Sequence, residues 1–376
     1  MKTRGTAAAL AFMLGTGPAF TASAEVVGTR GLARLTLDAF INATAGDSGG
    51  EAQGEDGLLE GELRALALYE TSAGTGVGAR AVFAAASDTP DRIGERSLLA
   101  LGDFGRVEIG RRRGLPDVLT GYAPNNYQFV SAEFGPAAGR SLDPDGRLQT
   151  AFLPPPVAGA INRLSSFGIT SSFFFDQSRK IIYVSPKIAG FLGGVSYASN
   201  AEDGEGEFGR LRQAGLTYER YWRQNVLRLG GTYAGADGRG DVGAPGAAED
   251  LRSLSLGASL TLDDALTLGA GATHNGDTGL ARVTGGDRSD ARGYAFSVNY
   301  NTGPWTVGGF AQTARHEGDV MQPGDDRLRA LELGLSYRSD TRVRYYAAVY
   351  VYELDEEGVK NAFDGTIVTA GVRLTL

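Results

Sequence analysis

The stretch of sequence that decides the fold is TIVTAGVRLTL, residues 366–376. Val368, Ala370, Val372 and Leu374 alternate there with polar or small residues. In a β-strand, a period of two places the apolar and the polar side chains on opposite faces of the sheet. The segment therefore predicts a final strand with one apolar and one polar face.

The same alternation recurs along the chain. At residues 34–42, Leu35, Leu37, Ala39 and Ile41 are apolar and the residues between them are mostly polar. The pattern predicts sixteen strands, at residues 32–43, 58–70, 77–87, 96–102, 105–112, 179–188, 191–199, 212–222, 225–235, 251–262, 265–274, 291–301, 304–314, 327–338, 341–353 and 366–376. Alternation alone fits both a soluble β-sandwich, which buries its apolar face, and a membrane barrel, which turns that face to lipid.

The connections between these strands favour the barrel. Short turns, such as residues 223–224, 263–264 and 302–303, alternate with long Gly- and Asp-rich loops, such as residues 236–250 and 275–290. Short turns at one rim and long loops at the other are typical of outer-membrane barrels, which in bacteria have an even number of strands. We predict an all-β fold: a 16-stranded antiparallel transmembrane β-barrel in the bacterial outer membrane.

Aromatic residues near the predicted strand ends fit the same interpretation. Tyrosine and tryptophan gather at the two membrane–water interfaces of such barrels. The candidates for these girdles are Tyr218, Tyr221, Trp222, Tyr294, Tyr300, Trp305, Tyr337, Tyr345, Tyr346, Tyr350 and Tyr352.

The first 24 residues resemble a secretory signal peptide. Lys2 and Arg4 give a basic start, residues 7–14 form a short apolar run, and Ala22-Ser23-Ala24 provides a small-residue cleavage site. We predict a signal peptide at residues 1–24 and one barrel domain at residues 25–376.

The composition excludes several classes of function. The formal net charge is -8, which argues against a nucleic-acid partner, and there is no cysteine for a disulfide or a thiolate metal site. The only histidines are His274 and His316, and no Gly-x-Ser-x-Gly motif precedes a helix, so we expect no enzyme.

Two segments resemble the Gram-negative porin family, the 16-stranded trimeric general porins. Residues 96–111 are similar to the family's hairpin before its third loop. Residues 179–191 retain the family's Tyr183, Ser185-Pro186 and Gly190-Phe191 elements, although an asparagine of the family's pattern is missing. The resemblance implies a water-filled channel for passive diffusion of small hydrophilic solutes and ions. It also implies a homotrimer embedded in outer-membrane lipid and lipopolysaccharide.

The third loop also resembles the part of the family that lines the pore. Residues 112–178 form an unusually long connection, and loops of that length are usually functional. In general porins this loop folds into the barrel and constricts it. The AEFGP sequence at residues 132–136 partly matches the family's loop motif, which implies that Glu133 faces the constriction, with Asp117 as a second candidate.

The resemblance also implies a ladder of arginines on the wall facing that loop. The candidates are Arg34, Arg64, Arg96 and Arg163; for Arg34, alternation independently predicts the polar face. Opposed charges in a narrow throat would orient dipolar solutes and bias the passage of ions. For each arginine taken singly, a solvated charge at a strand end is an equal alternative.

Other possibilities stay open. Asp143 and Asp145 resemble a fragment of a calcium-binding turn, so loosely bound calcium is possible, but a plain turn fits better and we expect no other cofactor. The channel could instead select a sugar or an anion, or the barrel could be a non-conducting adhesin or structural protein.

Overall fold

The computed structural model of the chain describes residues 23–28, 31–47, 57–71, 74–84, 93–120, 178–200, 208–238, 250–276, 291–317, 325–339, 342–355 and 363–375. Within these residues there are seventeen antiparallel strands and one short helix. The strands are β1 Ser23–Gly28, β2 Gly31–Asp47, β3 Gly57–Thr71, β4 Gly76–Ala84, β5 Ile93–Gly102, β6 Gly105–Arg111, β7 Arg179–Val184, β8 Phe191–Asn200, β9 Phe208–Trp222, β10 Asn225–Gly238, β11 Leu251–Leu262, β12 Leu266–Gly276, β13 Ala291–Thr302, β14 Trp305–Glu317, β15 Asp325–Arg338, β16 Val343–Asp355 and β17 Phe363–Thr375; helix α1 is Leu115–Thr120.

The pairing of the strands follows their order along the chain. Each of β2 to β17 pairs with the strands before and after it, and β17 pairs with β2, with Ala370 opposite Ala45. The order of pairing thus returns to the strand from which it started. Within the ring of β2 to β17, such pairing leaves no free edge in lipid, where unpaired backbone groups are costly.

The sixteen predicted strands correspond to β2–β17, with boundaries within a few residues. The structure adds β1, which pairs with the first part of β2, from Ser23 opposite Thr36 to Gly28 opposite Gly31. The sequence prediction missed β1 because it placed these residues around the end of the signal peptide.

The two faces of the sheet are reversed with respect to a soluble protein. On β13, Ser297 and Asn299 are buried, whereas Phe296 and Val298 between them are exposed. We call the face of Ser297 the inner face and the face of Phe296 the outer face. The buried polar residues of the inner face include Ser196, Gln213, Thr217, Thr232, Ser253, Ser255, Ser259, Thr273, Thr306, Gln312 and Ser336. The exposed apolar residues of the outer face include Leu98, Ile109, Ile181, Val195, Leu216, Leu256, Val307, Leu331, Leu333, Val349 and Val368.

This reversal decides between the two fold classes that alternation left open. A soluble sandwich buries its apolar face, whereas here the apolar face is the one that meets the surroundings. A wet lumen and a lipid-facing exterior produce such a pattern.

The aromatic side chains divide between the faces. Trp305, Tyr337 and Tyr345 lie opposite one another on the outer face of β14–β16, beside the short turns, as an interfacial girdle requires. The ring centroids of Trp305 and Tyr337 are 4.6 Å apart. Tyr346, Tyr350 and Tyr352 are instead buried on the inner face, so their assignment to a girdle is wrong. Their strand is apolar on both faces, and its alternation therefore does not show which face is outside.

The part of the chain that the structure describes contains no helix long and apolar enough to span a membrane.

Candidate functional site

The chain enters the lumen directly after β6. Helix α1 packs against the inner face of β7–β9, where Leu115 and Leu119 form an apolar cluster with Ile182, Val184 and Leu192. Since these side chains all belong to the inner face, the first part of the long third connection folds inward.

The part of the barrel wall that contacts α1 has space for its leucine side chains. A Cβ at Gly194 would lie 2.8 Å from Leu115 Cδ1, and a Cβ at Gly215 would overlap Leu119 Cδ1. The backbone amide of Leu115 donates a hydrogen bond of 2.7 Å to Gln213 Oε1 on β9. The glycines therefore provide room for the two leucines, and Gln213 fixes the start of the helix.

Two buried carboxylates hold the segment that precedes α1. Glu95 on β5 and Glu108 on β6 are buried on the inner face, and both accept hydrogen bonds from Arg112. Arg112 Nε lies 2.8 Å from Glu108 Oε2, and Ser97 Oγ donates to the same oxygen over 3.4 Å. This bridge joins two adjacent strands to the first residues of the third connection.

Further arginines surround the same carboxylates. Arg113 Nε lies 3.2 Å and an Arg80 guanidinium nitrogen 3.8 Å from a Glu95 oxygen, and Arg106 Nε lies 3.1 Å from Glu108 Oε1. Four arginines therefore share two glutamates. We call these six residues, together with the buried Lys180 of β7, the charged wall.

The charged wall presents positive charge to the lumen. Its glutamate side chains are 3 % exposed, whereas those of Arg80 and Arg106 are 27 % and 32 % exposed. The part of the charged wall that solvent reaches therefore belongs to its arginine side chains, and its carboxylates are covered.

The other side of the lumen is mostly uncharged. The buried inner face of β8–β15 is divided about equally between serine, threonine, asparagine or glutamine and small or apolar residues. Among the described residues of β8–β17, Glu332 is the only fully buried charged residue. Apart from Glu332, the buried charged residues that the structure describes therefore lie on β5–β7 and in the two residues after β6.

A second ion-pair cluster lies near the short-turn rim. Glu219 on the inner face of β9 accepts from Lys187 over 2.5 Å and from Arg228 over 2.7 Å. Because Glu219 is shared by two cations, this cluster carries a net positive charge.

The family is identified by its sequence profile. The profile of the Gram-negative porin family matches residues 5–357, which is nearly the whole chain. The chain belongs to this family. It is an outer-membrane β-barrel that forms a channel for passive diffusion. No curated protein sequence matches the chain.

Solved structures show the same fold. An anion-selective porin from Comamonas acidovorans is 15% identical, with a TM-score of 0.60 over 92% of this chain and 100% of that one. OmpT of Vibrio cholerae in its trimer form is 14% identical, with a TM-score of 0.60 over 92% and 99%. A mutant of the Rh. blastica porin is 16% identical, with a TM-score of 0.54 over 91% and 100%.

The structure describes the side chains of three of the six residues that were predicted to line the pore of this porin. Arg34 and Arg64 lie on the inner face of β2 and β3, and Arg64 is close enough to Arg80 to repel it electrostatically. Arg96 lies on the outer face in line with Leu98 and opposite Arg111, so we withdraw it from the pore lining. The roles of Arg34 and Arg64 in selectivity stay predictions.

The remaining predictions fall on the third connection. Asp117 belongs to α1, but its side chain lies outside the described residues, as do Glu133 and Arg163. The calcium candidates Asp143 and Asp145 lie outside them as well. Within the described residues, no group of three or more His, Asp or Glu side chains could hold a metal ion.

Sequence reasoning missed the charged wall of the porin. A signal was present in the run Arg111-Arg112-Arg113, which ends a strand and begins the long connection. Its partners Glu95 and Glu108 lie on two strands whose register brings Arg96 opposite Arg111. Without that register, the carboxylates could not be assigned to the arginines.

Proposed function

We propose that this porin lets small hydrophilic solutes diffuse across the outer membrane with a preference for anions. The observation that supports the preference is the arrangement of the charged wall, in which four arginines cover two buried glutamates. Charges on one side of a water-filled passage with low-dielectric walls focus the potential and raise the local concentration of counter-ions.

The charge balance of the neighbouring strands agrees with this proposal. On β2 and β3, the alternation that places Arg34 and Arg64 on the inner face places Glu70 there as well. Glu70 offsets one of these two positive charges. Among the described charges of the inner face, the larger positive excess therefore comes from the charged wall.

A third group of cations lies toward the short-turn rim. Arg344 on β16 and Arg373 on β17 are directly opposite each other on the inner face. Both are half-buried. An anion entering or leaving through this rim would pass their guanidinium groups, so the anion preference would extend along more than one level of the lumen.

Reversal potentials in a planar bilayer under a KCl gradient test the preference. We expect the wild-type porin to favour chloride, the double variant Arg80→Gln/Arg106→Gln to lose most of this preference, and Arg80→Glu/Arg106→Glu to favour potassium. Arg220→Gln is the matched control, because Arg220 is exposed on the outer face of β9 at the short-turn rim. A wild-type channel that favours potassium would refute the proposal.

Conductance recordings in the same bilayers distinguish the alternative functions. Ohmic steps that no sugar blocks support a general diffusion channel, whereas saturation by one sugar would indicate a specific porin. The absence of conductance would indicate an adhesin or structural barrel.

A transport role is also more consistent than an enzymatic one with the position of His274, which faces outward, away from the lumen.

We further propose that this porin assembles as a homotrimer, as one OmpT structure does. A groove of about 950 Å³ on the outer face of β2–β6 supports a contact surface there. Small residues form its floor and larger ones its walls: Ala67, Ala79, Ala100, Leu35, Tyr69, Val77, Leu98 and Ile109. A bulky side chain in the groove should interfere with the packing of another copy.

The substitution Ala79→Trp tests this contact by filling the groove, and Ala270→Trp on the outer face of β12 is the control. Native mass spectrometry in detergent should show a trimer for the wild type and the control and mainly monomer for Ala79→Trp. A trimer that persists in Ala79→Trp would place the contact elsewhere.

A further inference from the structure

Glu332 is a fully buried carboxylate on the inner face of β15. Its exposed fraction is 1 %, and neither of its carboxylate oxygens has a hydrogen-bond partner. Among the described residues, no cationic side chain forms an ion pair with it. A carboxylate away from water is costly unless a cation or a hydrogen-bond donor compensates its charge. Both oxygens of Glu332 are therefore available to a cation.

Aromatic side chains lie beside Glu332 on the two neighbouring strands. Phe310 of β14 and Tyr350 of β16 are directly opposite Glu332, and both are buried on the inner face. Side chains in directly opposed positions have Cβ atoms about 4.5–5.5 Å apart. Tyr352 extends the aromatic surface, because its ring centroid lies 6.2 Å from that of Tyr350 with 28° between the ring planes. We call Phe310, Glu332, Tyr350 and Tyr352 the aromatic site.

Small residues flank Glu332 along its own strand. The inner-face positions two residues before and two residues after it are Ala330 and Gly334. Since neither side chain is larger than a methyl group, there is little crowding of the carboxylate along β15. Gln312 Nε2 of β14 donates a hydrogen bond of 3.3 Å to Tyr350 Oη of β16. This bond crosses β15 next to Glu332, so breaking it would open a path from the lumen to the carboxylate.

The chemistry of the aromatic site selects among cations. Ca²⁺ and Mg²⁺ take about six or more oxygen ligands, which one carboxylate beside aromatic rings does not supply. A primary ammonium group carries three N–H donors that need acceptors. A quaternary ammonium group has no such donors, and the faces of aromatic rings attract it. One carboxylate beside three aromatic side chains therefore fits a quaternary ammonium group better than a metal ion or a primary amine.

We propose that the aromatic site binds the quaternary ammonium group of a solute in the lumen. Glu332 neutralises the charge of this group, and the rings of Phe310 and Tyr350 contact its methyl groups. The site lies across the lumen from the charged wall, because β15 and β7 are eight strands apart in the ring of β2 to β17. Water and salt in the lumen screen the repulsion between a bound cation and the distant arginines. The proposal rests on the diffusion function of the channel and is independent of its anion preference.

Isothermal titration calorimetry of the purified porin with tetramethylammonium chloride tests this site. We expect Glu332→Gln and Tyr350→Leu to bind tetramethylammonium at least roughly tenfold more weakly than the wild type. Tyr350→Phe keeps the ring and should bind at least as tightly as the wild type. Glu353→Gln is the matched control and should bind like the wild type, because Glu353 is exposed on the outer face of β16. Circular dichroism checks that each variant is folded.

Three results would overturn the proposal. The first is an equal affinity of the wild type and Glu332→Gln for tetramethylammonium. The second is an equal affinity of the wild type for ammonium chloride, which would show an ordinary counter-ion. The third is an equal loss in Tyr350→Phe and Tyr350→Leu, which would show that the ring does not contact the cation. The conductance of the wild type in KCl is measured separately, so a failure of this site is distinguishable from a failure of the channel function.

Discussion

Leu115 and Gln213 are joined by a hydrogen bond of 2.7 Å from the backbone amide of the first residue of α1 to a side chain of the barrel wall. Gln213 Oε1 also accepts from Ser196 Oγ over 2.7 Å. One amide oxygen thus connects two strands of the wall to the segment that enters the lumen. The position of α1 depends on a polar contact as well as on its leucines.

The substitution Gln213→Leu should therefore loosen the third connection. It leaves two buried donors without their acceptor, which costs about 1–3 kcal/mol for each donor that finds no other partner. We expect noisier single-channel currents and a lower thermal stability, measured in bilayers and by circular dichroism. Gln224→Leu, in the exposed turn between β9 and β10, is the control and should change neither. Quiet currents in Gln213→Leu would show that the hydrogen bond is dispensable.

Gly215→Val should displace α1 by a steric clash with Leu119, without removing any hydrogen bond of a side chain. Even a single Cβ at this position would overlap Leu119 Cδ1 and lie 3.1 Å from Thr232 Cγ2. Overpacking of this kind typically costs about 1–3 kcal/mol. The conductance should change, because α1 must move within the lumen. For Gly276→Val, no atom lies within 4 Å of the new Cβ, and its conductance should equal that of the wild type.

Much of this fold can be predicted from sequence, because lipid on one side and water on the other impose a period of two on every strand. The face of a residue can be predicted only where that alternation is clean, as it is around Arg34. Residues 98–101 of β5 are apolar without interruption, so the sequence does not show on which side Arg96 lies. The same ambiguity affects Tyr350 and Tyr352 on β16.

The charged wall could not be predicted for a different reason. Its ion pairs depend on the register between β5 and β6 and on the inward turn at Arg112. Both are tertiary features, and neither is encoded in the spacing of Glu95 and Glu108. A single sequence can therefore indicate that a pore has charges without showing which charges meet.

Glu95→Gln should strengthen anion preference and weaken the barrel. Three arginines lose a shared negative charge, and removing one partner of a buried ion pair costs about 3–5 kcal/mol in a dry interior, less beside a wet lumen. We expect a larger chloride preference in the reversal potential and a lower unfolding temperature. Glu353→Gln removes one side of an exposed pair with Arg329, and such pairs contribute at most about 1 kcal/mol. An unfolding temperature lowered equally by both variants would contradict the proposed difference between the two sites.

Arginine substitutions at different depths on the outer face test how the barrel is embedded in the membrane. Tyr294, Phe296, Val298 and Tyr300 form an exposed apolar band on the outer face of β13. Phe296 lies near the middle of this band, and Tyr300 lies at its end beside the short turn to β14. An arginine on the lipid face of a barrel costs about 2–4 kcal/mol at the bilayer midplane and about 0–1 kcal/mol near the interface. Phe296→Arg should therefore lower the free energy of unfolding in lipid vesicles by several times more than Tyr300→Arg. In detergent micelles, which adapt their thickness to the barrel, the difference should shrink. Equal losses in lipid vesicles would show that the band does not span the bilayer as its residues indicate.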